Sequence, residues 1–305
     1  MRHGSLRRTL ALAAAAAALG AWSLDAIAQR PAATGKKIFI SVDMEGISGI
    51  ADNGQLSSGQ PEYGRYRKLM AQDVNAAIGG AYDGGGRQIL VNDAHGSMRN
   101  LQIEDLDGRA NLISHSFKAY GMLEGLDESF DAVFFIGYHA KAGSPIGFAA
   151  HTGSGVVRDL RVNGRSVGEA GLNALLAAWY GVPVVLGTGD HVAVEQIKAA
   201  APDALVVVTK RAINSRAVEL RPLDVVHREI TTLAAEAVKT AQRRTPRREP
   251  SYRVEIQFNG TAIAEVAEGL PQIERPAPDT LAFTTQSLPQ AYRMIRILYR
   301  YVNPD

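Results

Sequence analysis

The chain of 305 residues contains no cysteine. Disulfides, thiolate metal sites and cysteine nucleophiles are therefore excluded, and any metal must be held by His, Asp, Glu, carbonyls or water. Ligands of that kind point to a catalytic rather than a structural zinc site, because closed structural sites are built largely on cysteine. An excess of one charge is missing too. Lys and Arg number 33 against 31 Asp and Glu. Residues 1–28 hold three Arg and one Asp, so the remainder of the chain carries 30 of each sign. Without a basic stripe to neutralise phosphates, no nucleic-acid partner is expected. A membrane-length apolar run is absent as well. The longest candidate, Thr9–Leu24, falls short of the roughly 20 residues that span a bilayer.

Thr9–Leu24 instead reads as the core of a secretory signal. Arg2, Arg7 and Arg8 precede it, and Ala26-Ile27-Ala28 offers a small-x-small cleavage site before Gln29. Residues 1–28 are expected to be a signal peptide, with an uncleaved N-terminal anchor as the alternative. The product would be periplasmic or secreted, with no stable membrane insertion after cleavage. The pair Arg7-Arg8 loosely matches a twin-arginine signal, so the export route stays open. With 46% hydrophobic and 21% charged residues, the chain can bury a sizeable core.

Short apolar runs alternate with helical stretches. Strands are expected at 37–42, 88–91, 133–136, 182–186 and 205–208, and helices at 62–81, 169–180, 191–200 and 223–242. Asn163-Gly164 between alternating runs predicts a hairpin over 156–167. The expected fold is α/β, a mostly parallel sheet with helices on both faces. Residues 29–250 would form the catalytic domain. The basic, proline-rich Arg243–Pro250 reads as a linker. Residues 251–305, with strands near 252–258 and 281–286 and a helix over 289–301, would form a small C-terminal β/α appendage or lid.

Four segments share one placement. The run KIFISV leads into Asp43-Met44-Glu45, QILV into Asn92-Asp93-Ala94-His95, and VFFI into Gly137-Tyr138-His139, while Glu169 opens a helix. Parallel α/β sheets bind ligands beyond the carboxyl ends of their strands. If extended geometry persists, Asp43 and Glu45 point the same way. Each residue alone has an ordinary reading as a surface acid, a core histidine or a helix-dipole partner. Together they form a nitrogen and oxygen ligand set that suits zinc, or manganese or cobalt. Three carboxylates and two imidazoles exceed what one tetrahedral zinc needs, so two metals sharing a carboxylate are expected.

The segments SVDMEGISG (41–49), VNDAHGSMRN (91–100), GYHAKAGSP (137–145) and VNGRSVGEAGLNA (162–174) resemble the DppA-type zinc-dependent D-aminopeptidases. The resemblance extends over most of residues 37–305 and fades in the last third. It implies two zinc ions per subunit, with Asp43 bridging them and Glu45, His95, His139 and Glu169 completing the ligands. It implies His151 as the catalytic group, peptides with N-terminal D-amino acids (D-Ala type) as substrates, and a homo-oligomer, a decamer of stacked five-membered rings. The expected chemistry is metal-assisted amide hydrolysis. One metal could also bind the substrate amine, and His151 would move a proton or steady the oxyanion. Asp190 is a candidate to orient a ligand histidine, and Lys210, Arg211 and Arg216 to receive a substrate carboxylate or to be simply solvated. Other readings stay open on the residues alone: another dimetal hydrolase such as an amidase or phosphoesterase, an exported metal- or solute-binding protein without turnover, or an assembly protein that uses metal for structure.

Overall fold

The computed structural model describes residues 34–302, so the signal-peptide expectation lies outside the described residues. No helix among the described residues is long and apolar enough to cross a membrane. The chain opens with β1 (Lys36–Val42), crosses through α1 (Tyr63–Asp83) to β2 (Gly86–Asp93), and continues to β3 (Ala110–Ile113) and β4 (Ala132–Tyr138). A hairpin of β5 (Val157–Val162) and β6 (Arg165–Ser166) precedes α2 (Glu169–Trp179). Then come β7 (Val184–Asp190), α3 (His191–Ala200), β8 (Leu205–Ala212), β9 (Val218–Leu220) and α4 (Leu223–Thr240). The last part holds β10 (Tyr252–Phe258), α5 (Ala262–Ala267), β11 (Glu274–Ala277), β12 (Thr280–Thr285) and α6 (Leu288–Arg300).

Seven strands form one sheet in the order β3-β2-β1-β4-β7-β8-β9, parallel throughout except for β9. All seven residues of β4 are buried, which is why its run is continuously apolar rather than alternating. One face packs against α1 and α4 through Ile40, Phe134, Val74, Ile78, Ile230 and Val238. The opposite face packs Phe39, Phe135, Leu172 and Ile197 into a core that continues to Ile256 and Ile295. The chain moves outward from β1 to β3 and then returns to β4 on the other side of β1. That reversal leaves a crevice at the carboxyl ends of β1 and β4, where α/β sheets bind ligands.

A second sheet, antiparallel, was not foreseen. Its order is β11-β12-β10-β5-β6. The elements β10, α5, β11, β12 and α6 fall after residue 250, but β10 pairs with β5 as well as with β12, so the sheet combines strands from both sides of that residue. The Arg243–Pro250 stretch is exposed, and its backbone is fastened to the end of α2 and the turn after it by Arg247 N donating to Ala178 O and Arg244 N to Gly181 O. The expected hairpin forms with Asn163 and Gly164 at φ +49° and +77°, the left-handed pair that a tight two-residue turn requires. The strands β3, β9 and β11 escaped the sequence reading. They are short edge strands without an apolar run, and β11 carries a proline that only an edge tolerates.

Candidate metal centre

Each expected ligand leaves a strand or opens a helix at the crevice. Asp43 follows β1 directly. The backbone then turns over residues 44–46 instead of staying extended, yet the turn still brings the Glu45 and Asp43 carboxylates to one imidazole. The turn depends on close backbone approach. Gly46 N donates to Gly137 O at 2.8 Å, and a methyl group on Gly46 would collide with the Tyr138 carbonyl. Gly137 sits at φ +71° against the Asp43 carbonyl, a conformation and a clearance that only glycine provides. Glu169 is placed by Gly168, which lies flat on the Lys141 side chain where a methyl group would overlap it.

The five side chains converge. His95 Nδ1 lies 3.2 Å from Asp43 Oδ1 and 3.0 Å from Glu45 Oε2. His139 Nε2 lies 3.3 Å from Asp43 Oδ2 and 3.1 Å from Glu169 Oε2. Asp43 thus faces one group with each oxygen, and donors of Asp43, Glu45 and His95, and of Asp43, His139 and Glu169, lie within 4.8 Å of one another. Both rings are oriented from behind. His95 Nε2 meets Leu56 O at 2.9 Å, and His139 Nδ1 meets Ala140 O at 2.9 Å. A ring N–H donated to a carbonyl leaves the other nitrogen as a lone-pair donor, the usual arrangement of a metal-binding histidine. Asp43 Oδ2 and His139 Nε2 are buried and have no hydrogen-bond partner. Buried polar atoms are rarely left so, and a cation between them would satisfy both. The residues present therefore fit a metal.

The electrostatics agree. Burial opposes charge on His95 and His139, but Glu45 with Asp43 at the first and Glu169 with Asp43 at the second outweigh it, and both imidazoles rise well above their ordinary range. Burial likewise opposes charge on the carboxylates. His139 and His151 nonetheless draw Glu169 down to about 2, and His95 holds Glu45 well below the usual carboxylate range. Three carboxylates in one cavity create a field that demands positive charge.

His151 stacks on His139 with ring centroids 4.0 Å apart, and its Nε2 lies 3.7 Å from Glu169 Oε1. Its Nδ1 is held 2.9 Å from Ala149 O. Asp190, a candidate to orient a ligand histidine or an ordinary turn aspartate, acts on the backbone. Its Oδ1 accepts from Val192 N and Ala193 N and caps α3, while its Oδ2 accepts from Phe148 N and so steadies the loop that carries His151. Lys210 is neither solvated nor available to substrate. It is fully buried and donates to the carbonyls of Glu45 and Ile50 at 2.7 Å each, which pins the turn after β1. Arg211 and Arg216 are exposed. Two supporting residues went unnoticed in the sequence. Asp93 accepts from Asn100 N, Asn100 Nδ2 and Leu101 N and closes the loop that holds His95, a role its place in the NDAH segment could have suggested. Arg296 reaches the same pocket from α6, and no local signal marks it.

The D-aminopeptidase family pattern matches residues 36–297. A D-aminopeptidase of Bacillus subtilis (strain 168) is 35% identical over 264 residues, which cover 86% of this chain and 96% of that relative. A solved structure, the Zn-dependent D-aminopeptidase DppA from Bacillus subtilis, described as a self-compartmentalizing protease, superposes with a TM-score of 0.83. It is 34% identical, and the match covers 88% of this chain and 98% of that one. The match takes in every element that brings a side chain to the cluster, and the chain belongs to the D-aminopeptidase family.

Proposed function

We propose that this aminopeptidase uses two zinc ions to hydrolyse short peptides bearing an N-terminal D-amino acid of the D-Ala type. The observation that carries the reading is the division of Asp43, one oxygen facing His95 and Glu45 and the other facing His139 and Glu169. Asp43 would bridge, and the other four residues would complete the two sites. Zinc, when bound, supplies Lewis acidity toward water and the scissile carbonyl. His151 is the proton carrier. With Nδ1 held by Ala149 O, its Nε2 can take the proton of the attacking water and deliver it to the departing amine as the C–N bond breaks. Its ring stacks on His139, and its Nε2 stands 3.7 Å from Glu169 Oε1, which holds it beside the cluster.

The chain would work outside the cytoplasm if residues 1–28 direct export, on peptide fragments containing D-Ala. A closed homo-oligomeric ring, a decamer in the fullest form, is supported by the self-compartmentalizing description of the solved relative. The test measures zinc content of the purified protein together with D-Ala-p-nitroanilide hydrolysis before and after chelation, and compares D-Ala-D-Ala with L-Ala-L-Ala. Two zinc ions per chain, activity lost to chelator and restored by zinc, and a D preference support the reading. Metal bound without turnover of either substrate would sink it.

A further inference from the structure

Helix α6 sends a second set of side chains to the metal-centre pocket. Asp43, His95, His151 and Glu169 line that pocket together with Arg296 and Tyr299. Arg296 is only 4% exposed, yet no ion pair among the described residues includes it. Its Nε is buried without a hydrogen-bond partner, and its Nη1 has the Tyr299 hydroxyl at a long 3.4 Å. The space around it is built for it. Gly121, at φ +43°, lies against the guanidinium, and a methyl group there would overlap Nη1. Tyr299 in turn packs its ring on Gly153, beside His151. The end of α6 is tied to the His95 loop by Arg300 Nη2, which donates to Gly96 O at 2.9 Å.

A guanidinium stays charged inside a protein, and a buried charge faced only by tyrosines such as Tyr299 and Tyr301, with no carboxylate, is costly. The surplus of donors on Arg296 therefore belongs to an anion that arrives from outside. The pocket is shared with the proposed hydrolytic centre, so the anion is part of what that centre acts on. A short peptide carries its free amine at one end and a carboxylate at the other, and the planar fork of an arginine matches a carboxylate with two parallel N–H donors.

We propose that Arg296, with the Tyr299 hydroxyl beside it, receives the C-terminal carboxylate of the substrate and makes the enzyme prefer short peptides with a free C-terminus over substrates that lack one. This rests on the aminopeptidase reading above. The experiment compares kcat/KM for D-Ala-D-Ala and for D-alanyl-D-alaninamide in the zinc-loaded full chain. A lost charge-assisted contact predicts an acid-to-amide ratio of roughly 10–100 in the wild type. Arg296→Met should bring that ratio close to one, chiefly through a higher KM for the acid, and Arg296→Lys should restore part of it. A wild-type ratio near one needs no variant to read and overturns the proposal. A ratio that Arg296→Met leaves unchanged overturns it as well.

Calorimetric titration of the same two compounds into metal-free protein separates this inference from the parent reading. Tighter binding of the acid by metal-free protein, with neither compound turned over by the zinc-loaded chain, would keep the carboxylate site and overturn the aminopeptidase assignment. Equal binding alongside turnover of both would do the reverse.

Discussion

Asp43 shows how much one side chain can organise. Its two oxygens divide the cluster, and the left-handed Gly137 and the Gly46 turn let the backbone approach closely enough to hold it there. His151 is different in kind, because it contacts the cluster at 3.7 Å and is the most exposed of the six candidates. Its replacement by Gln should lower kcat by roughly 10²–10⁴-fold, the range of a lost general acid–base group, while zinc content stays as in the wild type. Parallel metal analysis and saturation kinetics check this, and a loss of zinc would instead make His151 a ligand. Lys118 yields a pH prediction. Burial lowers its amine from 10.5 to about 8, against the pull of Asp93, and its Nζ donates to the carbonyls of Asp93 and Ile113. Between those two pH values the unfolded chain binds the extra proton, so folding stability rises with pH across the window. Below about pH 8 the cost of the buried charge is present in full. Denaturant unfolding at pH 7 and pH 9.5 should show a gain for the wild type that Lys118→Met lacks. The five candidate ligands stand out in the sequence because each follows an apolar strand or opens a helix. Arg296 was not, since it is one of several arginines on an amphipathic helix and is distinguished only by what packs over it.

At the scale of elements, the strand ends do the positioning and the loops between them are fastened by buried polar groups. Asp190 is the clearest case. Removing its carboxylate in Asp190→Ala should cost about 1–2 kcal/mol from the α3 cap alone. It should also lower kcat, because the Phe148 N that leads toward His151 loses its acceptor. Equilibrium unfolding and kinetics on the same variant read the two effects separately, and a stability loss with full activity would confine Asp190 to the helix. Ser48, Asp73 and His227 look at first like a hydrolytic triad. The carboxylate, however, lies between the other two, accepting from Ser48 N and Ser48 Oγ and meeting His227 Nε2 at 2.9 Å. That order leaves the hydroxyl without a base and instead ties α1 and α4 to the loop after β1. A buried chain performs a similar service on the other face. Tyr292 of α6 donates to Asn173 of α2, which donates to the Tyr138 hydroxyl, itself 2.7 Å from Ser41 of β1. This chain joins α6 to the central strands. The helix-period and strand-period runs were readable in the sequence. The second sheet was not, because pairing of β5 with β10 is a contact between segments about ninety residues apart that leaves no local pattern.

On the scale of the whole molecule, three largely buried carboxylates in one cluster predict a fold that a bound cation steadies. Stripping zinc with a chelator should lower Tm, and restoring it at a hundredfold excess over Kd should return about 2.7 kcal/mol of stability. A melting curve indifferent to chelator would contradict the metal centre. The mature chain should begin at Gln29, and its mass in solution should be a multiple of the single chain. N-terminal sequencing of exported protein and light scattering test the two, and a monomer would remove the ring proposal without touching the site. Composition, with no cysteine to spend on metal, together with strand-end patterning, determined the class of fold and which side chains are candidate ligands. Those are local properties, carried by short stretches whose periodicity and neighbours are written in order along the chain. Three things were decided only by tertiary structure. The Asp43 carboxylate is divided between two groups of candidate ligands, Lys210 is buried under the β1 turn rather than left in solvent, and an arginine of α6 in no ion pair stands in the same pocket as candidate ligands more than a hundred residues earlier. Each depends on which distant segments pack together, and burial of that kind is a property of the folded ensemble of elements rather than of any one of them.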